Sequence, residues 1–303
     1  MIKSVAIIGL GLLGGSIGRA TKKYASDLHI YGYDLTEATI DRALEIGFID
    51  EGSTDLESVI PHADLVILCA PLGAFAALAK DIIPLMKKGA VLSDTGSVKG
   101  SVVKAVSPFL TDDIHFIPAH PIAGTEQSGV EAGFADLFQN KRLILTPLDS
   151  ADTEVMLALT GFWKDLGSVV EVMDIEHHDQ VFAVVSHIPH LIAYNIVGTA
   201  ANLEQVSEQE VIRFSASGFR DFTRLASSDP VIWRDVFLHN KEAVLDMLGR
   251  FTEDLFDLQR AIRYADSDAL ENHFKRAQGI RQQIIDAGQD MPNVNFGRNK
   301  NKE

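Results

Sequence analysis

Residues 4–14 read SVAIIGLGLLG. The apolar run Ser4 to Ile8 has the length and composition of a buried strand. It passes directly into Gly9, Gly11 and Gly14, spaced GxGxxG, and a helical pattern follows from Gly14 to Tyr24. The first glycine of such a turn permits its tightness. The second lets the backbone approach a pyrophosphate, and the third lets helix and strand pack closely. The helix start offers free N–H groups and a positive dipole end to phosphates. A lone GxGxxG is weak evidence. Here a second strand, His29 to Tyr33, is followed by Asp34, placed to accept hydrogen bonds from a ribose 2′-hydroxyl. A carboxylate there repels a 2′-phosphate, and Leu35 and Thr36 supply no arginine. NAD is therefore expected over NADP.

Outward from this unit, strands and helices alternate. Glu37 to Ile46 reads as a helix stopped by Gly47, Leu65 to Cys69 as a strand, Ala74 to Met86 as a helix and Ala90 to Ser93 as a strand. His115 to Pro118, Arg142 to Leu145 and Val169 to Val172 are further strand candidates. The alternation predicts a doubly wound parallel sheet with helices on both faces. After Met173 the pattern turns helical: Glu176–Asn202, Ser207–Ser215, Pro230–Ala261 and Asp266–Ala287. We place the domains at 1–173 and 174–290, with a polar, disordered tail at 291–303. The long apolar helix carries more hydrophobic face than one small bundle needs. A homodimer would bury it, a packed monomer core being the other solution.

The chain has 303 residues, 27 Lys and Arg against 42 Asp and Glu, and a formal charge of -15. That composition suits two globular domains and excludes collagen-like and wholly disordered chains. A polyanion would be repelled, so no nucleic-acid partner is expected. Cys69 is the single cysteine, which excludes an intrachain disulfide and a cysteine zinc cluster. The start lacks a secretory pattern. Val181 to Leu203 is long enough to span a bilayer but contains Ser186, His187, Pro189, His190, Asn195 and Asn202, so it reads as a helix buried in protein. A soluble cytoplasmic protein with no membrane partner is expected.

Three segments bear on chemistry. In Asp94-Thr95-Gly96-Ser97-Val98-Lys99, after a strand, Ser97 can present a hydroxyl to the ligand crevice, or Asp94, Thr95 and Ser97 can serve as helix caps. In Ala119-His120-Pro121-Ile122-Ala123-Gly124-Thr125-Glu126, His120 at a strand end is a candidate base or a structural histidine. The third is Ser186-His187-Ile188-Pro189-His190, with Arg220, Asp221, Arg224 and Trp233 downstream. An arginine fork there suits a carboxylate, and Arg220 reads as a surface ion pair. Pro189 suggests a kink that aims one imidazole into a cleft. His177, His178, Asp179, His187 and His190 raise the question of a metal, but no HExxH is present and none is expected.

Taken together, GLGLLGGS, DTGSVK, HPIAGTE, SHIPH and FRDFTRLASSDPVIW, in this order over about residues 1–290, resemble the prephenate dehydrogenase family, which includes arogenate and cyclohexadienyl dehydrogenases. The resemblance implies a Rossmann-type domain followed by an all-helical dimerisation domain. It also implies NAD-dependent oxidative decarboxylation of prephenate, or of arogenate, in tyrosine biosynthesis, without a metal. Carried over, His120 takes the proton of the 4-hydroxyl, and Ser97 is its hydrogen-bond partner and touches that hydroxyl. Arg224 grips a substrate carboxylate, and His190 and then His187 contact substrate. Thr125 and Glu126 line or gate the site, and Asp221 and Trp233 position it. The nucleotide contacts would be Gly9, Gly11, Leu12, Leu13, Gly14, Asp34, Ala70, Pro71 and Thr95. A C-terminal regulatory domain is not expected, because the 13 residues from Met291 are too few to form one.

Two other readings stand beside it. A β-hydroxyacid dehydrogenase would use a lysine of the helical domain. Lys241 is the only lysine between Lys164 and Lys275 and lies outside the histidine motif. A non-catalytic NAD-binding sensor would keep the glycine loop without Ser97, His120, His190 and Arg224.

Overall fold

The computed structural model describes residues 2–125, 127–202, 210 and 213–287. Six parallel strands form the main sheet: β1 (Ser4–Ile8), β2 (His29–Tyr33), β3 (Glu51–Ser53), β4 (Leu65–Leu68), β5 (Val91–Asp94) and β6 (His115–Phe116), in the order β3-β2-β1-β4-β5-β6. Helices α1 (Leu12–Tyr24), α2 (Glu37–Ile46), α3 (Phe75–Ile82) and α4 (Lys99–Val106) connect them. Strand residues alternate between two cores. Val5, Ile7, Leu65 and Ile67 face one side with Ile17, Phe138 and Trp163. Ala6, Ile8, Val66 and Leu68 face the other with Phe75, Val102 and Phe116. Burial on both faces is why these strands read as unbroken apolar runs.

The expected strand His115 to Pro118 ends early. Ile117 still donates to Leu92 O at 3.0 Å, but Pro118 has no N–H to continue the ladder, and its carbonyl accepts from Thr146 N at 3.0 Å. There the chain crosses to a second sheet. It consists of β7 (Ala119–Pro121), antiparallel to β8 (Arg142–Leu145), with β9 (Val169–Val172) parallel to β8. Helix α5 (Thr153–Asp165) precedes β9, its first N–H groups capped by Asp152.

From β9 on, the described residues are helical: α6 (Ile175–Phe182), a π-helical turn Ala183–His187, α7 (Ile188–Ala201), α8 (Ser217–Thr223), α9 (Pro230–His239), α10 (Lys241–Arg263) and α11 (Ser267–Asp286). The expected helix 207–215 lies largely outside the described residues, as does the tail at 291–303. The π turn stands just before Pro189, whose missing N–H interrupts the α-helical ladder, the usual setting for such a bulge.

By compactness, Met1–Ile192 and Leu225–Val244 form one unit, and Ala193–Arg224 with the chain from Leu245 on form the other. In the second unit the described helices bury little. Helix α11 has no buried residue, and Phe256, Ile262, Tyr264, Phe274 and Ile280 are exposed. Ile175–Ala201 is long and apolar enough to cross a bilayer by length and composition, and 28% of its most apolar stretch is buried. The single chain thus covers little of this helix. Its apolar surface exceeds what the chain itself covers.

Candidate active site

In the first compact unit, the glycine turn sits at the C-terminal ends of β1 and β4, where the strand order reverses. Gly9 has φ +101°, a conformation that costs a residue with a Cβ. A Cβ on Gly14 would lie 1.9 Å from the carbonyl oxygen of Gly9, whereas a Cβ on Gly11 would meet nothing within 4 Å. The turn is therefore closed on its inner side and open above Gly11, where a side chain would take up the space. No side chain caps α1, whose N-cap is Gly11. Its first N–H groups are thus available to an anion. Asp34, just past β2, accepts from Leu10 N at 2.9 Å through Oδ2 and from Leu35 N at 2.8 Å through Oδ1. Each oxygen keeps a lone pair, so the carboxylate can tie down the turn and also receive a ribose hydroxyl. Ala70 and Pro71 follow β4, with a Cβ on Gly9 reaching Cys69 O at 2.8 Å. Thr95 donates its N–H to Leu68 O at 3.0 Å, joining β5 to the same edge. These residues fit a dinucleotide.

His120 lies on β7. Its Nδ1 is 2.8 Å from Nε2 of His178 on α6, whose own Nδ1 is 2.8 Å from Oδ1 of Asp179. Phe182 packs against both rings, with centroids 4.8 Å and 4.5 Å away. Burial, then the neighbouring His178, Lys99 and His187, pushes the His120 imidazole well below its ordinary pKa. The residue before His120 is pinned on both sides: Asp94 Oδ1 accepts from Ala119 N at 3.1 Å, and Lys99 Nζ donates to Ala119 O at 2.6 Å. Lys99 and Asp94 also pair with each other, both fully buried.

Asp179 is the hub of this region. Oδ1 accepts from Lys99 N and Oδ2 from Gly100 N, each at 2.8 Å, so Asp179 caps α4 across some 80 residues of sequence. The caps considered at Asp94, Thr95 and Ser97 are not used, and Val98 is the N-cap residue without a side-chain bond. The carbonyl of Asp179 accepts from Asn240 Nδ2 at 2.8 Å, and the same amide lies 3.1 Å from Nδ1 of His187. The Asn240 amide nitrogen must donate to the carbonyl, so it also donates to His187 Nδ1. That leaves the proton of a neutral His187 on Nε2, which is buried and has no partner among the described residues. Burial lowers the His187 imidazole to about 4. His190 stacks on Trp233, with centroids 3.5 Å apart at 18°, and its Nδ1 is 2.9 Å from Ser186 O.

His120, His187, His190, Trp233 and the glycine turn all belong to the first unit. Ser97 is half-buried on the loop between β5 and α4. The hydrogen bond described for His120 runs to His178, and none among the described residues joins it to Ser97. Thr125 is exposed, its Oγ1 accepting from Gln127 N at 3.2 Å. Glu126 lies outside the described residues. Asp221 on α8 and Arg224 just after it belong to the second unit. Sequence reasoning missed the roles of His178, Asp179, Asn240 and the Asp94–Lys99 pair. A signal was present: His178 and Phe182 are four residues apart, and they are the buried positions of α6. Among the described residues no three His, Cys, Asp or Glu side chains cluster as metal ligands do.

Residues 17–172 match the model of the prephenate dehydrogenase nucleotide-binding domain, and residues 174–276 match that of the prephenate dehydrogenase dimerization domain. The chain is 42% identical to a cyclohexadienyl dehydrogenase of Zymomonas mobilis over 93% of its own length and 96% of the relative's. It is 33% identical to a prephenate dehydrogenase of Bacillus subtilis over 93% of its own length and 76% of the relative's. Among solved structures it resembles prephenate dehydrogenase from A. aeolicus in complex with hydroxyphenyl propionate and NAD+, with a TM-score of 0.86, 37% identity and coverage of 94% and 99% of the two chains. The chain belongs to the prephenate dehydrogenase family.

Proposed function

We propose that this NAD-dependent oxidoreductase converts prephenate to 4-hydroxyphenylpyruvate and CO₂, with His120 as the base. The observation that carries this reading is the His120 imidazole at a strand end in the unit that carries the glycine turn, its Nδ1 2.8 Å from Nε2 of His178. NAD+, when bound, supplies the hydride acceptor for the ring carbon that bears the 4-hydroxyl. Gly9, Gly11, Leu12, Leu13 and Gly14 would hold its pyrophosphate, Asp34 its ribose, and Ala70, Pro71 and Thr95 would line it.

His120 removes the 4-hydroxyl proton as the carbon is oxidised, and returns it to that oxygen when the ring carboxylate leaves as CO₂ and the ring aromatises. A histidine in this role contributes about 10²–10⁴ in rate. Ser97 contacts the same hydroxyl. Arg224 pairs with a substrate carboxylate, a dianion in an acidic protein needing a local cation. The Nε2–H of His187 is a donor kept in place by Asn240, and it suits a substrate oxygen. His190 stacked on Trp233 forms a flat wall for the ring, Thr125 lines the entrance, and Asp221 and Trp233 position the site. The exposed apolar faces of α7, α10 and α11 are covered by a second copy of the chain, giving a homodimer.

The test is NADH formation with prephenate and arogenate at equal concentration, with NADP in parallel. Turnover of prephenate with NAD supports the reading. Turnover of arogenate alone transfers it to the amino-bearing substrate. NAD binding without turnover of either removes the roles given to His120 and Arg224.

A further inference from the structure

We infer that His178 and Asp179 form an orienting chain that fixes the proton of His120 on Nδ1 and leaves Nε2 bare as the proton acceptor. This rests on the reading of His120 as the base. The orienting chain begins at Asp179. Both oxygens of its carboxylate accept backbone N–H bonds at a helix start, Oδ1 from Lys99 N and Oδ2 from Gly100 N. Nδ1 of His178, 2.8 Å from that carboxylate, must then carry a proton. Burial and the nearby Lys99 lower the His178 imidazole, while Asp179 opposes them, with a net downward shift. A neutral His178 protonated on Nδ1 has a lone pair on Nε2. That atom faces Nδ1 of His120 at 2.8 Å, so His120 donates from Nδ1 and is unprotonated at Nε2.

The order is Asp179 carboxylate, His178, His120, with one more imidazole than the usual acid–histidine pair. Packing by Phe182 against both rings limits their rotation. His178 and Asp179 need not touch substrate. They are positioning residues that act through His120. When His120 accepts a proton at Nε2, the His178 lone pair still receives its Nδ1–H, and the Asp179 charge stands behind it.

The test uses the full chain labelled with 15N-histidine and loaded with NAD. The His120 signals are identified by their loss in His120→Asn. Wild-type protein should show His120 protonated on Nδ1 and bare at Nε2. In His178→Phe the Nδ1 preference should be lost, and kcat should fall about 10²-fold, with KM for NAD and prephenate within a few-fold. A wild-type His120 protonated on Nε2 overturns the proposal without any variant. So does a folded His178→Phe enzyme with near-normal kcat. If His120→Asn is inactive while His178→Phe is not, only the orienting chain falls. If His120→Asn keeps its turnover, the base assignment itself falls.

Discussion

Lys99 and Asp94 form an ion pair with neither side chain exposed, and between them they hold both backbone groups of Ala119, the residue before His120. A buried pair broken on one side leaves an uncompensated charge, at a cost of about 3–5 kcal/mol. Lys99→Met should therefore destabilise the protein by about that amount, measured by urea unfolding. Its residual kcat should fall as well, because the backbone under His120 loses an anchor. An unfolding midpoint equal to wild type would show the pair to be dispensable.

Asp34 is expected to serve two partners, the glycine turn through Leu10 N and the ribose. Asp34→Ala should raise KM for NAD about 10- to 100-fold, as loss of a charged hydrogen bond does, while kcat changes less. An unchanged KM would detach Asp34 from the cofactor.

Acid should destabilise this protein through its neutral histidines. For His187 the folded-state value of about 4 lies below the ordinary 6.5. Its contribution is complete above pH 6.5 and is lost as the pH falls from there towards 4. Between pH 7 and pH 5 the loss is about 2 kcal/mol. His120 and His178 shift in the same direction. The pH dependence of unfolding in His187→Leu should be shallower than wild type by about that amount. Equal slopes would mean that His187 titrates alike in the folded and unfolded states.

The second copy should be detectable by sedimentation. With Phe256, Ile262, Tyr264 and Phe274 exposed on the single chain, the protein should sediment as a dimer at micromolar concentration. Ile262→Asp, on a residue 67% exposed in the single chain, should shift it towards monomer without unfolding the first compact unit. A monomeric wild type would leave those faces unexplained.

The nucleotide half of the site was legible in the sequence because its parts are local. A strand, three glycines, a helix and an acid lie within Ser4 to Asp34, and each follows from a short-range rule. His120 stood out because Pro121 and a strand end frame it. Its partner did not. His178 lies 58 residues away, and Asp179 caps a helix 80 residues before it; nothing local marks a cap supplied from such a distance. In Asp94-Thr95-Gly96-Ser97 the local rule pointed to a cap, and a distant carboxylate took that place. The break at Pro118 was readable only in part: a proline ends a ladder, but the second sheet that receives the chain depends on β8.

The role of His120 as the base is read most plainly by NADH formation from prephenate by His120→Asn beside wild type, with NAD binding measured on both. The account expects equal NAD affinity and a kcat lowered about 10²–10⁴-fold. A His120→Asn enzyme that turns over within a few-fold of wild type would contradict it.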